Sequence, residues 1–239
     1  MKKILLLTMM CFLALFGNVK AQETIEIGED KAPAGGNFIP VNDFWKYSIS
    51  QQIYTEAEME GKTGNITNVS FKLSNATSLK RTYVVYMKST DLTAFADGNS
   101  FIKLSESDKV FEGQVELPTA AGSWYTINFD TPFNYTGGNL MLCVYDKTGV
   151  QPTDFTDYSQ FYQYSTTENA SIHMNSGKQL DVQNLSGGTV IKSKNQIKLT
   201  FVAAEEEPDP TPDPEPDPDP TPDPTPDPEQ PEGLKTVEI

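Results

Sequence analysis

The chain has 239 residues and a formal net charge of −15, from 33 acidic and 18 basic side chains. Twelve of the acidic residues lie between Glu205 and Glu232, a segment without lysine or arginine, whereas residues 22–204 hold 20 acidic and 14 basic side chains. This distribution argues against a uniformly acidic fold, and because there is no basic stripe we expect no nucleic-acid partner. About 180 residues remain for a core, which is enough for one well-buried domain.

The first 21 residues have the pattern of a secretory signal peptide. Lys2 and Lys3 precede an apolar run from Ile4 to Phe16, and a small-residue site ends at Ala21. The run is shorter than the roughly 20 residues that a membrane-spanning helix needs. The alternative is a lipoprotein signal, which retains an anchor on a cysteine that closes the apolar run. Cys11 does not fit this alternative, because it lies inside the run and not after it. We predict cleavage after Ala21 and a secreted or cell-surface protein of bacterial type, with no membrane span in the mature chain.

Residues 22–204 predict β-strands and no substantial helix. Alternation of apolar and polar residues predicts half-buried strands, and runs that are apolar on both faces predict central strands. The alternating segments are 68–73, 124–129 and 197–201, and the two-sided segments are 83–87 and 140–145. Weaker strands are predicted at 24–27, 47–55, 109–117, 161–165, 171–174 and 189–194. The only run of helix-forming residues, 56–62, is too short to form more than a turn.

Turns separate the predicted strands at regular intervals. Paired glycines at 35–36, 137–138 and 187–188, with single glycines in other polar stretches, supply the turn chemistry. This set of short strands predicts an all-β domain, a two-sheet antiparallel β-sandwich of jelly-roll type. A closed barrel is the alternative, because alternation does not determine the strand order.

One segment near the end of the domain has the composition of a ligand site. Residues 154–164 contain two aspartates and five aromatic side chains. Aromatic rings stack on sugar faces, while carboxylates bind hydroxyl groups or a calcium ion. The candidate ligand-binding residues are Asp154, Phe155, Asp157, Tyr158 and Tyr162. The alternative is that some rings belong to the core and that the carboxylates cap turns.

Few other residues could carry chemistry. His173 is the only histidine, which excludes multi-histidine metal sites, and we expect it to be a structural strand residue and not a catalytic one. The single cysteine of the mature chain, Cys143, is expected to be buried. Trp45 with Tyr47, and the acidic turn at 97–99, are expected to be structural. We predict no catalytic residue and no cofactor; a structural calcium ion and a carboxylate pair of a hydrolase stay open.

An acidic, proline-rich segment follows the domain. Proline occupies every second position from Pro208 to Pro228, which predicts extended polyproline II structure that cannot pack. We interpret residues 205–232 as a disordered, spacer-like linker. After it, Thr236–Ile239 repeats the pattern of Thr24–Ile27, with chance similarity as the alternative. Residues 233–239 therefore predict the start of a second copy, in a parent protein with tandem copies of which this chain is a truncated part.

Five segments of the predicted domain resemble a known class of domain. They are YSISQQIYT (47–55), GNITNVSFKL (64–73), RTYVVYMKST (81–90), WYTINFDTPFNYTGGNLMLCVYD (124–146) and FYQYS (161–165). They look like the sandwich modules of large secreted and surface proteins of Bacteroidetes, including adhesins and peptidases. The strongest element is the pattern Asp130, Pro132, Phe133, Tyr135, Gly137 and Gly138, which is expected to form a turn between two strands. The resemblance implies an accessory module, and it supports fold and location more than activity.

The sequence therefore predicts a non-catalytic, exported module for adhesion or substrate targeting at the cell surface, displayed on an acidic spacer. Its expected partner is a polysaccharide or a protein of a host or cell surface. The main alternative is a carbohydrate-binding module of a larger glycan-degrading enzyme or peptidase. An independent hydrolase that uses carboxylates is a third alternative.

Overall fold

The structure, a computed structural model, describes residues 22–29, 38–75 and 77–203. The predicted signal peptide, the acidic linker and the start of a second copy lie outside the described residues.

β-Strands dominate the described part of the chain. They are β1 (Gln22–Ile27), β2 (Tyr47–Tyr54), β3 (Gly64–Lys72), β4 (Lys80–Thr90), β5 (Lys109–Glu116), β6 (Trp124–Tyr135), β7 (Asn139–Asp146), β8 (Gln163–Ser165), β9 (Ser171–Ser176), β10 (Thr189–Ile191), β11 (Ser193–Asn195) and β12 (Ile197–Val202). Short 3₁₀ turns occur at Glu56–Met59 and Glu106–Asp108. No helix within these residues is long and apolar enough to cross a lipid bilayer.

The strands form two packed antiparallel sheets and one small ladder. The four-stranded sheet has the order β1-β12-β3-β6, and the six-stranded sheet has the order β10-β9-β2-β7-β4-β5. The prediction of an all-β sandwich is confirmed. β4 and β7 lie inside the six-stranded sheet, as expected for strands that are apolar on both faces. The third ladder pairs β8 with β11.

The main hydrophobic core lies between the two large sheets. It takes alternate side chains from the facing strands of both sheets, as the period of two in a strand requires. The four-stranded sheet contributes Ile25, Ile27, Ile66, Val69, Phe71, Ile127, Tyr135, Ile197, Leu199 and Phe201. The six-stranded sheet contributes Tyr54, Tyr83, Val85, Met87, Val110, Val115, Leu140, Leu142 and Val144.

The outer face of the six-stranded sheet is also covered. Two loops, residues 91–105 and 177–188, provide apolar side chains that pack on it, and this second layer explains why β4 and β7 are apolar on both faces. The buried residues of the cluster are Ile49, Val84, Tyr86, Leu104, Met141, Cys143 and Tyr145, and its half-buried residues include Ile102, Leu180, Val182 and Leu185.

Cys143 is fully buried in this second layer, as the sequence predicts. Burial raises the pKa of the thiol well above its ordinary value, so the reactive thiolate is rare at neutral pH. We expect a thiol reagent to modify the folded mature chain only at the rate of unfolding, and the urea-unfolded chain at once. Following the reaction by absorbance checks this, and rapid modification of the folded chain would contradict the burial of Cys143.

The pattern that carries the resemblance does not form a single turn. Residues 129–132 of β6 lie opposite Thr67 alone, between the Asn128–Asn68 and Phe133–Ile66 pairs, and so form a bulge within the strand. In this bulge, the Asp130 carboxylate accepts a hydrogen bond of 3.1 Å from the backbone amide of Glu112 on β5. Only the part around Gly137 and Gly138, which both have positive φ, makes the turn to β7.

The β8–β11 ladder connects the two large sheets. The side chain of Gln52 on β2 exchanges hydrogen bonds of 2.8 Å with Asn195 on β11, while Phe161 forms a bridge with Leu73 at the end of β3. Lys194 is buried here, and its ammonium lies 2.6 and 2.7 Å from the two carboxylate oxygens of Glu58. Burial opposes the ionisation of Glu58, but Lys194 holds the pKa of that carboxyl below its usual value.

Candidate functional site

Exposed large apolar side chains are concentrated at one end of the six-stranded sheet. Four large apolar residues are exposed among those that the structure describes: Trp45 (44%), Leu92 (44%), Val150 (60%) and Phe155 (58%). Trp45 lies on the loop that enters β2, and Val150 and Phe155 lie on the loop that leaves β7. Because Ser48 pairs with Asp146, these two loops meet at the same end of the sheet. We call Phe44, Trp45, Val150, Phe155 and Tyr158 the aromatic end.

Direct contacts hold the two loops of the aromatic end together. The rings of Phe44 and Tyr158 contact each other in a tilted arrangement, with centroids 4.9 Å apart and an angle of 36° between their planes. The Gln151 side chain donates a hydrogen bond of 2.8 Å to the carbonyl of Phe44. The amide of Gly149 donates one of 2.9 Å to the carbonyl of Lys46. These contacts give the exposed rings a defined base.

A buried arginine fixes the backbone below the exposed side chains. Arg81 on β4 is 2% exposed, and its Nε and Nη2 lie 2.8 and 2.7 Å from Oδ2 of Asp146. Its two terminal nitrogens also donate to the carbonyls of Val150, at 3.1 Å, and Trp45, at 3.2 Å. Burial raises the pKa of Asp146, and the Arg81 guanidinium opposes that increase. One guanidinium therefore connects both loops to the sheet.

A second buried carboxylate ties the same loops. Oδ2 of Asp43 accepts hydrogen bonds of 2.8 and 2.6 Å from the amide and hydroxyl of Ser159. Burial raises the pKa of Asp43, against the lowering effect of the Ser159 hydrogen bonds and of Arg81. Asp43 directly precedes Phe44, and Ser159 directly follows Tyr158. A buried polar contact between the two neighbouring residues therefore holds the Phe44–Tyr158 ring pair in place.

The two predicted carboxylates are used by turns. Asp154 accepts hydrogen bonds of 2.8 and 2.6 Å from the amide and hydroxyl of Thr156, which lower its pKa. Asp157 accepts from the hydroxyl of Thr77, at 2.7 Å, and from the amide and hydroxyl of Ser78, which also lower its pKa. Both carboxylates therefore shape the loop that carries Phe155, as in the alternative left open by the sequence.

The predicted aromatic residues do not form one platform. Phe155 and Tyr158 belong to the aromatic end, with Phe155 exposed and Tyr158 half-buried. Tyr162 lies apart from them, beside the four-stranded sheet: its amide donates to the carbonyl of Lys72, and the Lys72 ammonium lies 5.4 Å from its ring centroid. The same ammonium lies 5.6 Å from the ring centroid of Trp124. Tyr162 is thus part of a separate cation–aromatic cluster.

Sequence reasoning assigned Trp45 to a structural pair with Tyr47, and the structure separates the two. Tyr47 is half-buried against the second hydrophobic layer, whereas Trp45 is exposed. The available signal was position: Trp45 precedes the first residue of β2 and follows a turn at residues 42–44. A tryptophan outside a strand is not assigned to the core by the alternation that identifies buried strand residues.

Among the residues that the structure describes, no group of three or more His, Cys, Asp or Glu side chains could hold a metal ion. His173 is buried on β9 and stacks on Phe38 with ring centroids 4.7 Å apart. Burial lowers its pKa to about 4. A structural calcium ion, which the sequence leaves open, stays open.

Comparison of the chain with protein-family models, curated proteins and solved structures finds no match. The resemblance to sandwich modules of Bacteroidetes surface proteins therefore stays a prediction. Function has to be argued from the surfaces of the domain itself.

Proposed function

We propose that the chain is a non-catalytic, exported binding module that serves adhesion or substrate targeting at a cell surface and binds through its aromatic end. The observation that supports this proposal is the concentration of Trp45, Val150 and Phe155 on two adjoining loops. Exposed apolar groups that are clustered, and not scattered singly, mark interaction surfaces. Tryptophan and other aromatic anchors contribute most to binding at such surfaces.

The hydrogen bonds that hold the two loops of the aromatic end favour binding without large rearrangement. Arg81 and Asp43 hold the backbones of both loops through buried hydrogen bonds. A surface that is already ordered loses less conformational entropy when a partner docks. The turns favour a non-catalytic role for the two predicted carboxylates, because Asp154 and Asp157 already accept hydrogen bonds from neighbouring backbone and hydroxyl groups.

Removal of the exposed rings is expected to weaken binding strongly. We predict that Trp45→Ala combined with Phe155→Ala weakens binding by tenfold or more, about the effect of losing an aromatic anchor. The mature wild-type chain and the variant are compared on a glycan array and on an array of extracellular matrix proteins. The matched control is Leu92→Ala, because Leu92 is as exposed as Trp45 but lies on a different loop.

The two arrays separate the leading proposal from its alternative. Wild-type binding to a matrix protein that is lost only in the double variant supports adhesion through the aromatic end. Binding confined to glycans, and lost in the same variant, supports the carbohydrate-binding module, since aromatic rings stack on sugar faces. Equal binding by the wild type and the double variant, or no binding on either array, contradicts the aromatic end as the binding surface.

A further inference from the structure

A concave feature lies on the outer face of the six-stranded sheet, away from the aromatic end. It is a cleft of about 290 Å³ between the two covering loops. The described residues that line it are Asn99, Phe101, Ile102, Lys103, Val182, Gln183, Asn184 and Leu185. None of them belongs to the aromatic end, so the cleft is a separate candidate site. Its volume is at the lower limit of the roughly 300–1,000 Å³ typical of small-molecule pockets, which fits a short ligand.

Backbone contacts fix both walls of the cleft. The amide of Gly188 donates to the carbonyl of Gly98 at 2.8 Å, and the amide of Gly187 donates to Oδ1 of Asn99 at 3.1 Å. A Cβ atom at residue 98 would collide with the carbonyl oxygen of Gly188, so this close approach requires glycine. The backbone of Ile102 exchanges two hydrogen bonds of 2.8 Å with the Gln51 side chain on β2. The cleft is therefore attached to the sheet.

The lining combines an apolar base with a polar rim. Phe101, Ile102, Val182 and Leu185 are half-buried, whereas Asn99, Lys103, Gln183 and Asn184 are exposed. An aromatic ring beside aliphatic groups suits the C–H face of a sugar, and side-chain amides suit its hydroxyl groups. The amide oxygen of Asn99 accepts from Gly187, so its Nδ2 can donate to a ligand. The Nδ2 of Asn184 donates to Asp181, so its Oδ1 can accept from one.

Charge narrows the ligand class further. Of the described residues that line the cleft, only Lys103 carries a charge. We propose that the cleft binds a sugar that carries one carboxylate, with Lys103 pairing with the carboxylate while Asn99 and Asn184 bind hydroxyl groups. An ammonium beside a partly enclosed anion contributes a charge-assisted hydrogen bond, which is about twice as strong as a neutral one. This inference goes beyond the proposed adhesion function and is independent of the aromatic end.

The test is an NMR titration of the ¹⁵N-labelled mature chain with glucuronic acid, galacturonic acid, glucose and galactose. We expect the uronic acids to shift the backbone amide signals of residues 99–103 and 182–185, and to bind up to about fivefold more tightly than the neutral sugars, because Lys103 is exposed and an exposed ion pair is weak. Lys103→Gln should remove this difference between acidic and neutral sugars. Lys178→Gln, which removes an exposed lysine outside the lining, is the matched control and should keep it.

A bulky side chain that fills the cleft provides an independent test of whether sugars bind there. Gln183→Trp is expected to block the binding of every sugar while leaving the amide signals of the remote strands unchanged, which shows that the variant is folded. Absence of shifts with all four sugars, or an unchanged preference in Lys103→Gln, overturns the proposal. The Trp45→Ala/Phe155→Ala variant should give the wild-type titration, so failure of this site and failure of the aromatic end are distinguished.

Discussion

Replacement of Arg81 by methionine is expected to lower the free energy of unfolding by about 3–5 kcal/mol, the largest effect of any single substitution considered for this chain. Methionine retains the aliphatic volume but leaves the Asp146 carboxylate buried without its cation, and both residues are at most 2% exposed. It also removes the donors to the carbonyls of Trp45 and Val150. Urea denaturation followed by circular dichroism measures the change.

Two further variants show whether the burial of the pair is responsible. Lys80→Met removes the neighbouring, exposed ion pair with Glu116 and should change the stability by less than about 0.5 kcal/mol. Arg81→Met with Asp146→Leu removes the buried ion pair as a whole and should recover part of the loss, because the Asp146 carboxylate is no longer left without its cation; the recovery is incomplete because Asp43, which Arg81 also stabilises, stays buried. A cost below about 1 kcal/mol for Arg81→Met alone would contradict the role assigned to the guanidinium.

Acidification from pH 6.5 to pH 4 is expected to reduce the stability through His173, by up to about 3 kcal/mol. Burial lowers the pKa of His173 to about 4 in the folded chain, against an ordinary value of 6.5. As the pH falls below 6.5 the unfolded chain binds a proton that the folded chain does not, so unfolding becomes easier. This contribution to stability is fully present above pH 6.5 and is lost progressively down to pH 4.

His173→Gln isolates this effect from the carboxylates that titrate in the same range. The difference between the unfolding free energies of wild type and variant should decrease as the pH falls from 6.5 to 4, because only the wild type loses the histidine contribution. Since His173 is the only histidine, its ring proton signals in the NMR spectrum report its pKa directly. A midpoint near or above 6.5 would show that the ring is accessible to protonation.

The sequence predicted the strands well and their surroundings less well. Period-two alternation in residues 124–129 and 197–201, and apolar runs at 140–145, identified β6, β12 and β7 because each face of a strand has one environment. β2 was harder, because Ser50, Gln51 and Gln52 are polar and yet fully buried. Their burial depends on partners far along the chain, such as Asn195 and Ile102, which no local pattern indicates.

The candidate site was predicted in part for a related reason. Phe155 and Tyr158 were found by composition, but Trp45 joins them only because Arg81 and Asp146 connect loops that are far apart in sequence. The cleft was not predicted at all. Its walls come from two loops whose apolar lining residues, an adjacent pair in one loop (Phe101 and Ile102) and two single residues in the other (Val182 and Leu185), show no period.

The pairing of β1 with β12 determines how the domain would respond to mechanical load. Gln22 lies opposite Val202 and Ile27 opposite Ile197, so the strand that begins the domain and the strand that ends it have their outer ends side by side. A pulling force applied between these ends would separate the two strands from that side, and the hydrogen bonds of the ladder would break in succession instead of sharing the force. Because β1 is an edge strand that covers the core with only Ile25 and Ile27, it would detach first. Tension along the chain would thus be released by peeling β1 away before the main core opens.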